Sequence, residues 1–238
     1  RKRSLYTWRS RSWPVVSELR SRSLRACKPT PDAQEPCLQQ RLLILPPPRR
    51  ALNMAVPFPR FRVMLHTHLD GHIRHTTIME YSKKKKIDLG YANLQDCLRK
   101  TRPIKPSTLQ NYLKEMPNYL RVIVGDRDAL TRIAYEAAID QANCGIIYSE
   151  MRLFAQMMSS SMSSLPKGSG PMTLNTTREV VDATLAGFFK AEQECGIKTR
   201  LVLACFRDKP EWADEVVTLC QEYKGKGVVG MDVCGVFA

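Results

Sequence analysis

From residue 60 onward the chain alternates between short apolar runs rich in β-branched residues and longer stretches with an apolar side chain every third or fourth position. The first pattern reads as strand and the second as amphipathic helix. Residues 60–65 predict a strand, and residues 76–86 a helix that opens on threonine caps and closes in four lysines, which suit the negative end of a helix dipole. A second short helix is predicted over 93–100. Residues 109–124 predict a single helix with Leu109, Tyr112, Leu113, Met116 and Leu120 on one side. Gly125 ends it, and Asp126 or Asp128 caps the next helix, which runs to about Asn143 with Ile133, Ala134, Ala137 and Ala138 as a close-packing face. A strand over 146–151, a Ser/Gly-rich loop over 159–170, a long helix over 176–195, a strand over 199–206, a helix over 210–223 and a strand over 227–233 complete the pattern. Strands that alternate with helices specify an α/β chain with a parallel sheet, and near-continuous apolar strands suit a sheet covered on both faces. No glycine-rich turn follows the first strand, which argues against a dinucleotide-binding sheet. Gly168 and Gly170 lack the strand before and the helix after that a phosphate loop needs.

Composition changes the picture in one place. The chain has 238 residues, a formal net charge of +14 and 43% hydrophobic residues, enough to bury a core. Such an excess of positive charge suggests nucleic acid or a membrane surface, but it is unevenly spread. Residues 1–53 carry 12 Lys+Arg against 3 Asp+Glu, and residues 54–238 carry 25 against 20. The first segment also holds 7 of the 15 prolines, and the first Met is Met54. Residues 1–53 are therefore expected to be a disordered basic tail outside the fold, with 54–238 as the folded unit. The tail reads either as sequence upstream of an initiation at Met54, the favoured reading, or as an Arg- and Ser-rich mitochondrial targeting segment. Trp8 and Trp13 are too few to act as stacking platforms, so nucleic acid is not an expected partner. No apolar run is long enough to span a bilayer. Two cysteines, Cys27 and Cys37, lie in the tail, and the other six are widely spaced with no CxxC pair. They read as reduced thiols of a cytoplasmic protein.

The candidate chemistry lies just after the first strand. All four histidines fall within ten residues, at His66, His68, His72 and His75. Residues i and i+2 of a strand face the same side, so His66 and His68 can point into one space. Two converging imidazoles are half of a tetrahedral metal site, and the carboxyl ends of parallel strands are where such folds do chemistry. Two rim histidines bonded to neighbouring loops would show the same spacing. Asp70 reads as a metal-supporting group, a substrate contact or a turn residue before Gly71, and His72 and His75 read as surface residues.

The run Leu65-His66-Thr67-His68-Leu69-Asp70-Gly71 closely resembles the first-strand motif of the adenosine deaminase family, zinc-dependent barrel enzymes. The likeness continues through Arg132-Ile133-Ala134-Tyr135-Glu136, through the segment from Gly145 to Arg152, and through the segment from Gly227 to Gly235. What this resemblance implies is a partial (β/α)8 TIM barrel of about four βα units and a purine nucleoside as the small-molecule partner. By resemblance, His66 and His68 match two zinc ligands and Asp70 matches the residue that holds the ribose 5′-hydroxyl. Gly235 matches the glycine whose backbone meets the purine, and Leu109, Tyr112, Leu113 and Met116 match an apolar helix that gates the pocket. For that helix face, ordinary core packing is the stronger reading of the residues themselves. Relatives that act on methylated nucleotides tend to carry Asn at the Asp70 position. Glu150 and Arg152 match a family position and receive no chemistry, while Leu153 to Gln156 depart from the family's usual Tyr-Ser-Pro.

The resemblance also implies that the third histidine ligand, the catalytic Glu, the orienting His and the last Asp ligand come after the position of Gly235. This sequence has no histidine beyond His75. Hence the expectation of an incomplete zinc site with no catalytic residue, in an inactive amino-terminal half that self-associates through an open barrel edge. The alternatives are a non-catalytic splice product or binding module, and a relative acting on another N6-substituted purine.

Overall fold

A computed structural model describes residues 61–102, 108–163 and 172–235. The basic tail, Gly168, Gly170, Cys27 and Cys37 fall outside the described residues. Four strands, β1 (Arg62–His68), β2 (Ile146–Leu153), β3 (Lys198–Phe206) and β4 (Val228–Cys234), form one sheet in the order β1-β2-β3-β4. Every pairing is parallel. The α/β reading with parallel strands therefore holds, and sequential parallel order is that of a barrel wall rather than a doubly wound sheet.

Between β1 and β2 lie α1 (His75–Lys85), α2 (Leu94–Thr101), α3 (Leu109–Leu113), α4 (Met116–Leu120) and α5 (Arg127–Asn143). Between β2 and β3 lie α6 (Ala155–Met158) and α7 (Thr177–Cys195), and α8 (Ala213–Glu222) precedes β4. The helix predicted over 109–124 is in fact two short helices. Pro117 has no N–H and its ring crowds the carbonyl four residues back, so it sits in the first turn of a new helix rather than inside a long one. The predicted threonine cap of α1 also fails: the helix begins at His75 with Arg74 before it, and Thr77 instead donates its hydroxyl to the Glu136 carboxylate of α5, 2.7 Å away.

One face of the sheet is covered by α5 and α7. Ser149, Met151 and Leu153 of β2 and Leu201, Leu203 and Cys205 of β3 are buried beneath them, with Ile133, Ala137, Val181, Leu185 and Phe188 from the helices. Alternation by two then sends His68, Arg152, Val202, Ala204 and Asp232 to the opposite face. The register agrees, because His68 pairs with Arg152, Arg152 with Val202, and Ala204 with Asp232. All four strands point the same way, so their carboxyl ends, and the loops that follow, gather at one end of the sheet. That end carries the candidate site.

Candidate active site at the carboxyl ends of the strands

Between Met64 and Thr67, β1 carries one residue more than its neighbour. Met64 pairs with Ser149 and Thr67 with Met151, so three steps on β1 match two on β2, and Leu65 and His66 form a bulge. Below the bulge Met64 packs against the core, and above it Thr67 and Leu69 are buried. The two imidazoles stay together across it, with ring centroids of His66 and His68 5.6 Å apart. His66 and His68 thus lie side by side as their spacing predicts, although the strand between them is not regular.

Past His68 a short 3-10 turn, Leu69–Gly71, sends the chain away from the sheet and buries Asp70. Burial pushes the Asp70 carboxyl up to about 6, against the pull of the backbone N–H groups of Asp70 and Gly71. Its Oδ1 lies 3.9 Å from His68 Nδ1 and has no hydrogen-bond partner. Burial, with His66 and Arg152 nearby, holds the His68 imidazole below the usual histidine range, which favours the neutral form that can donate a lone pair.

His72 and His75 are not surface residues as expected from sequence. His72 Nδ1 lies 3.0 Å from the His68 carbonyl and 3.1 Å from the Thr67 hydroxyl, so it braces the turn. His75 Nε2 lies 2.8 Å from the Thr101 hydroxyl of α2. Both are held below the ordinary histidine pKa by burial, His75 to about 4 with the Arg102 charge adding to the effect.

The four residues of the expected gating helix separate in the structure. Tyr112 reaches the turn: a Cβ built on Gly71 would lie 3.7 Å from its hydroxyl. Met116 packs on the core, while Leu109 is 67% exposed and no residue of α3 is buried. Core packing alone therefore does not explain α3. Gly235 follows β4 at the same end of the sheet, with φ at +115°, and a Cβ there would meet the Phe206 ring at 3.3 Å.

Four residues at this end of the sheet, Arg152, Asp232, Phe154 and Phe206, have no role assigned by their place in the sequence. Arg152 donates from Nε to Asp232 Oδ2 at 2.6 Å and from Nη1 to the Leu65 carbonyl at 2.9 Å. Phe154 and Phe206 stack with centroids 3.9 Å apart, with Phe154 6.3 Å from the His68 ring and Phe206 5.9 Å from Trp212. A charged residue inside each apolar strand was the available signal for Arg152 and Asp232, but their pairing across 80 positions was not.

His66 and His68 fit zinc as donors, being two imidazoles side by side with a carboxylate behind one of them. Among the described residues, no group of three or more His, Cys, Asp or Glu side chains is placed to hold a metal ion. The fit is to two positions of a tetrahedral set. Cys205 and Cys234 add nothing to it, since burial raises both thiols, Cys234 to about 11, away from the thiolate a metal needs.

A parallel sheet in sequential order, with paired histidines at the end of its first strand, defines a barrel-type α/β architecture. A zinc-bound amidohydrolase from Burkholderia ambifaria superposes with a TM-score of 0.60 at 22% identity, covering 74% of this chain and 44% of its own. An Arabidopsis N6-mAMP deaminase superposes with a TM-score of 0.57 at 26% identity, over 74% of this chain and 49% of its own. Within that class the chain belongs to the adenosine deaminase family, whose family model, described as adenosine deaminase, matches residues 61–236. Adenosine deaminases of Xenopus laevis and Rattus norvegicus are 36% and 37% identical over 179 residues, 75% of this chain. That of Clostridium botulinum is 34% identical over 179 residues. The chain spans about half the length of these curated relatives.

Proposed function

We propose that this chain supplies the metal and ribose side of a purine nucleoside deaminase site. In this reading His66 and His68 hold a zinc ion through one ring nitrogen each, Asp70 accepts a hydrogen bond from the ribose 5′-hydroxyl, and the backbone at Gly235 meets the purine edge. Zinc, when bound in such a site, supplies a hydroxide at neutral pH. Tyr112, over the turn at Gly71, shields the ribose end from water.

The observation that carries the reading is Asp70 Oδ1, a buried carboxylate oxygen without a partner at the end of the histidine strand. An orphaned buried acceptor is costly, and a ligand hydroxyl is the group that would satisfy it. A carboxylate accepts from a hydroxyl and repels a phosphate, which supports a nucleoside over a nucleotide. Deamination would further need a third imidazole and a proton donor that the described residues do not bring to this place. The chain by itself is then a binder without turnover.

The test is a titration of the zinc-supplemented full chain with adenosine and with deoxyadenosine, followed by ligand-observed NMR and by assay for inosine. Binding is expected in the wild type, weaker by about tenfold or more in Asp70→Ala, the scale of one lost hydrogen bond to a charged group, and inosine is expected in neither. Equal binding by wild type and Asp70→Ala would remove Asp70 from the site. Zinc-dependent inosine formation would show that the chain needs no further groups.

A further inference from the structure

The Arg152 side chain lies between the histidine strand and the far edge of the sheet, and nothing so far gives it a task. It is 12% exposed, and it donates in two directions: from Nε to Asp232 of β4 and from Nη1 to the Leu65 carbonyl of β1. The first contact crosses β3, since Arg152 pairs with Val202 and Asp232 with Ala204. The second meets the bulge. Leu65 and His66 have no register partner on β2, so the ladder is locally disrupted there. A guanidinium is suited to this place because its planar fork holds two acceptors at a fixed angle, which an ammonium cannot do.

We propose that Arg152 is the positioning residue of the paired histidines. It holds the Leu65 carbonyl and thereby the bulge in the one setting that leaves His66 and His68 side by side, and Asp232 anchors the guanidinium from the opposite side. The proposal rests on the reading of His66 and His68 as metal ligands. It concerns a group that touches neither metal nor substrate and acts through the backbone of the residue before the first ligand. Groups of this kind commonly change metal affinity by 10- to 100-fold when removed.

The experiment uses the full chain labelled with 15N-histidine, Zn2+ alone as the probe, and the ring-nitrogen resonances of the four histidines as the readout. In the wild type the His66 and His68 resonances are expected to shift together at one zinc per chain, and His66→Ala or His68→Ala to abolish the joint shift. Arg152→Gln is expected to bind zinc at least tenfold more weakly, with the two resonances no longer moving in step. Arg152→Lys is expected not to restore binding. Asp232→Asn, which leaves the Leu65 contact in place, is expected to give a smaller loss. Thermal midpoints measured alongside separate this from a merely structural role, which would lower the midpoint and leave the zinc affinity of the folded chain unchanged. Wild-type affinity and a joint shift in folded Arg152→Gln would overturn the proposal. If that variant does not fold, unchanged affinity in Asp232→Asn overturns it instead. Zinc shifts that ignore His66→Ala and His68→Ala would overturn the ligand reading itself, a different result from a failure confined to Arg152.

Discussion

Asp70 shows how one side chain can be expensive to fold and useful once folded. Its carboxyl is raised to about 6 by burial, against about 4 in an unfolded chain. The folded state therefore holds the proton more tightly than the unfolded state. This group contributes its stabilisation fully below about pH 4 and loses it as pH rises through 6. The loss is on the order of 3 kcal/mol across that window. Asp70→Asn, which cannot ionise, is expected to gain on the wild type by about that amount between pH 4 and pH 7, measured by urea unfolding at both values. His75, depressed to about 4 by burial, acts in the opposite sense and loses stabilisation as pH falls from about 6.5 to 4. Because His75 is present in both proteins, the difference between them isolates Asp70. A constant difference across the pH range would show that the carboxylate is solvated after all. Much of this site is legible in the sequence, because His66, His68 and Asp70 belong to one short run and the turn at Gly71 places them. Arg152 is not, because its task depends on a bulge and on a partner strand, and register is decided only when the sheet forms.

Among the elements, the contact between α5 and α7 determines how closely the helices pack over the sheet. Ala134, Ala137 and Ala138 of α5 and Ala183, Thr184 and Gly187 of α7 are small and buried, and Thr131 donates its hydroxyl to the Ala183 carbonyl at 3.1 Å. At Gly187 a Cβ would come 2.4 Å from the Thr131 carbonyl oxygen and 2.8 Å from both Ala134 Cβ and Tyr135 N. Two of those atoms are helix backbone and cannot turn aside, so Gly187→Ala must separate the helices. A loss of about 2 kcal/mol or more is expected, at the upper part of the range for overpacked cores and against the usual gain in helix propensity. A thermal midpoint equal to the wild type's would refute the close approach. The alanine face of α5 is visible in the sequence as a pattern, and so are the four strands, each found within a few residues of its ends. The break at Pro117 was visible too, but the apolar spacing from Leu109 to Leu120 outweighed it. Proline in the first turn of a helix and proline inside one look alike until a turn is seen to begin there.

At the scale of the whole molecule the sheet has two flanks that no described strand covers. Among the described strands β1 pairs only with β2, and β4 only with β3. Each flank is apolar: Val63 and Leu65 are more than half exposed on β1, and Val229, Met231 and Val233 are 39%, 42% and 50% exposed on β4. Edge strands that stay monomeric usually carry charges or prolines, and these carry only Arg62 at the start of β1, bonded to the Cys144 carbonyl, and Asp232 on β4, already engaged by Arg152. The +14 charge offers little protection, since most of the excess lies in residues 1–53 rather than along the edges. The full chain is therefore expected to self-associate in sedimentation velocity experiments, increasingly so as concentration rises. The double variant Met231→Lys with Val233→Lys is expected to shift it towards monomer, because it places two charges on the exposed side of β4 and leaves the side facing Arg152 untouched. Sulfate separates the causes. Association through apolar edges strengthens in sulfate, whereas association through the basic residues weakens as salt screens them. A wild type that remains monomeric at every concentration, or a double variant that associates equally well, would show that the edges are covered by some other part of the chain.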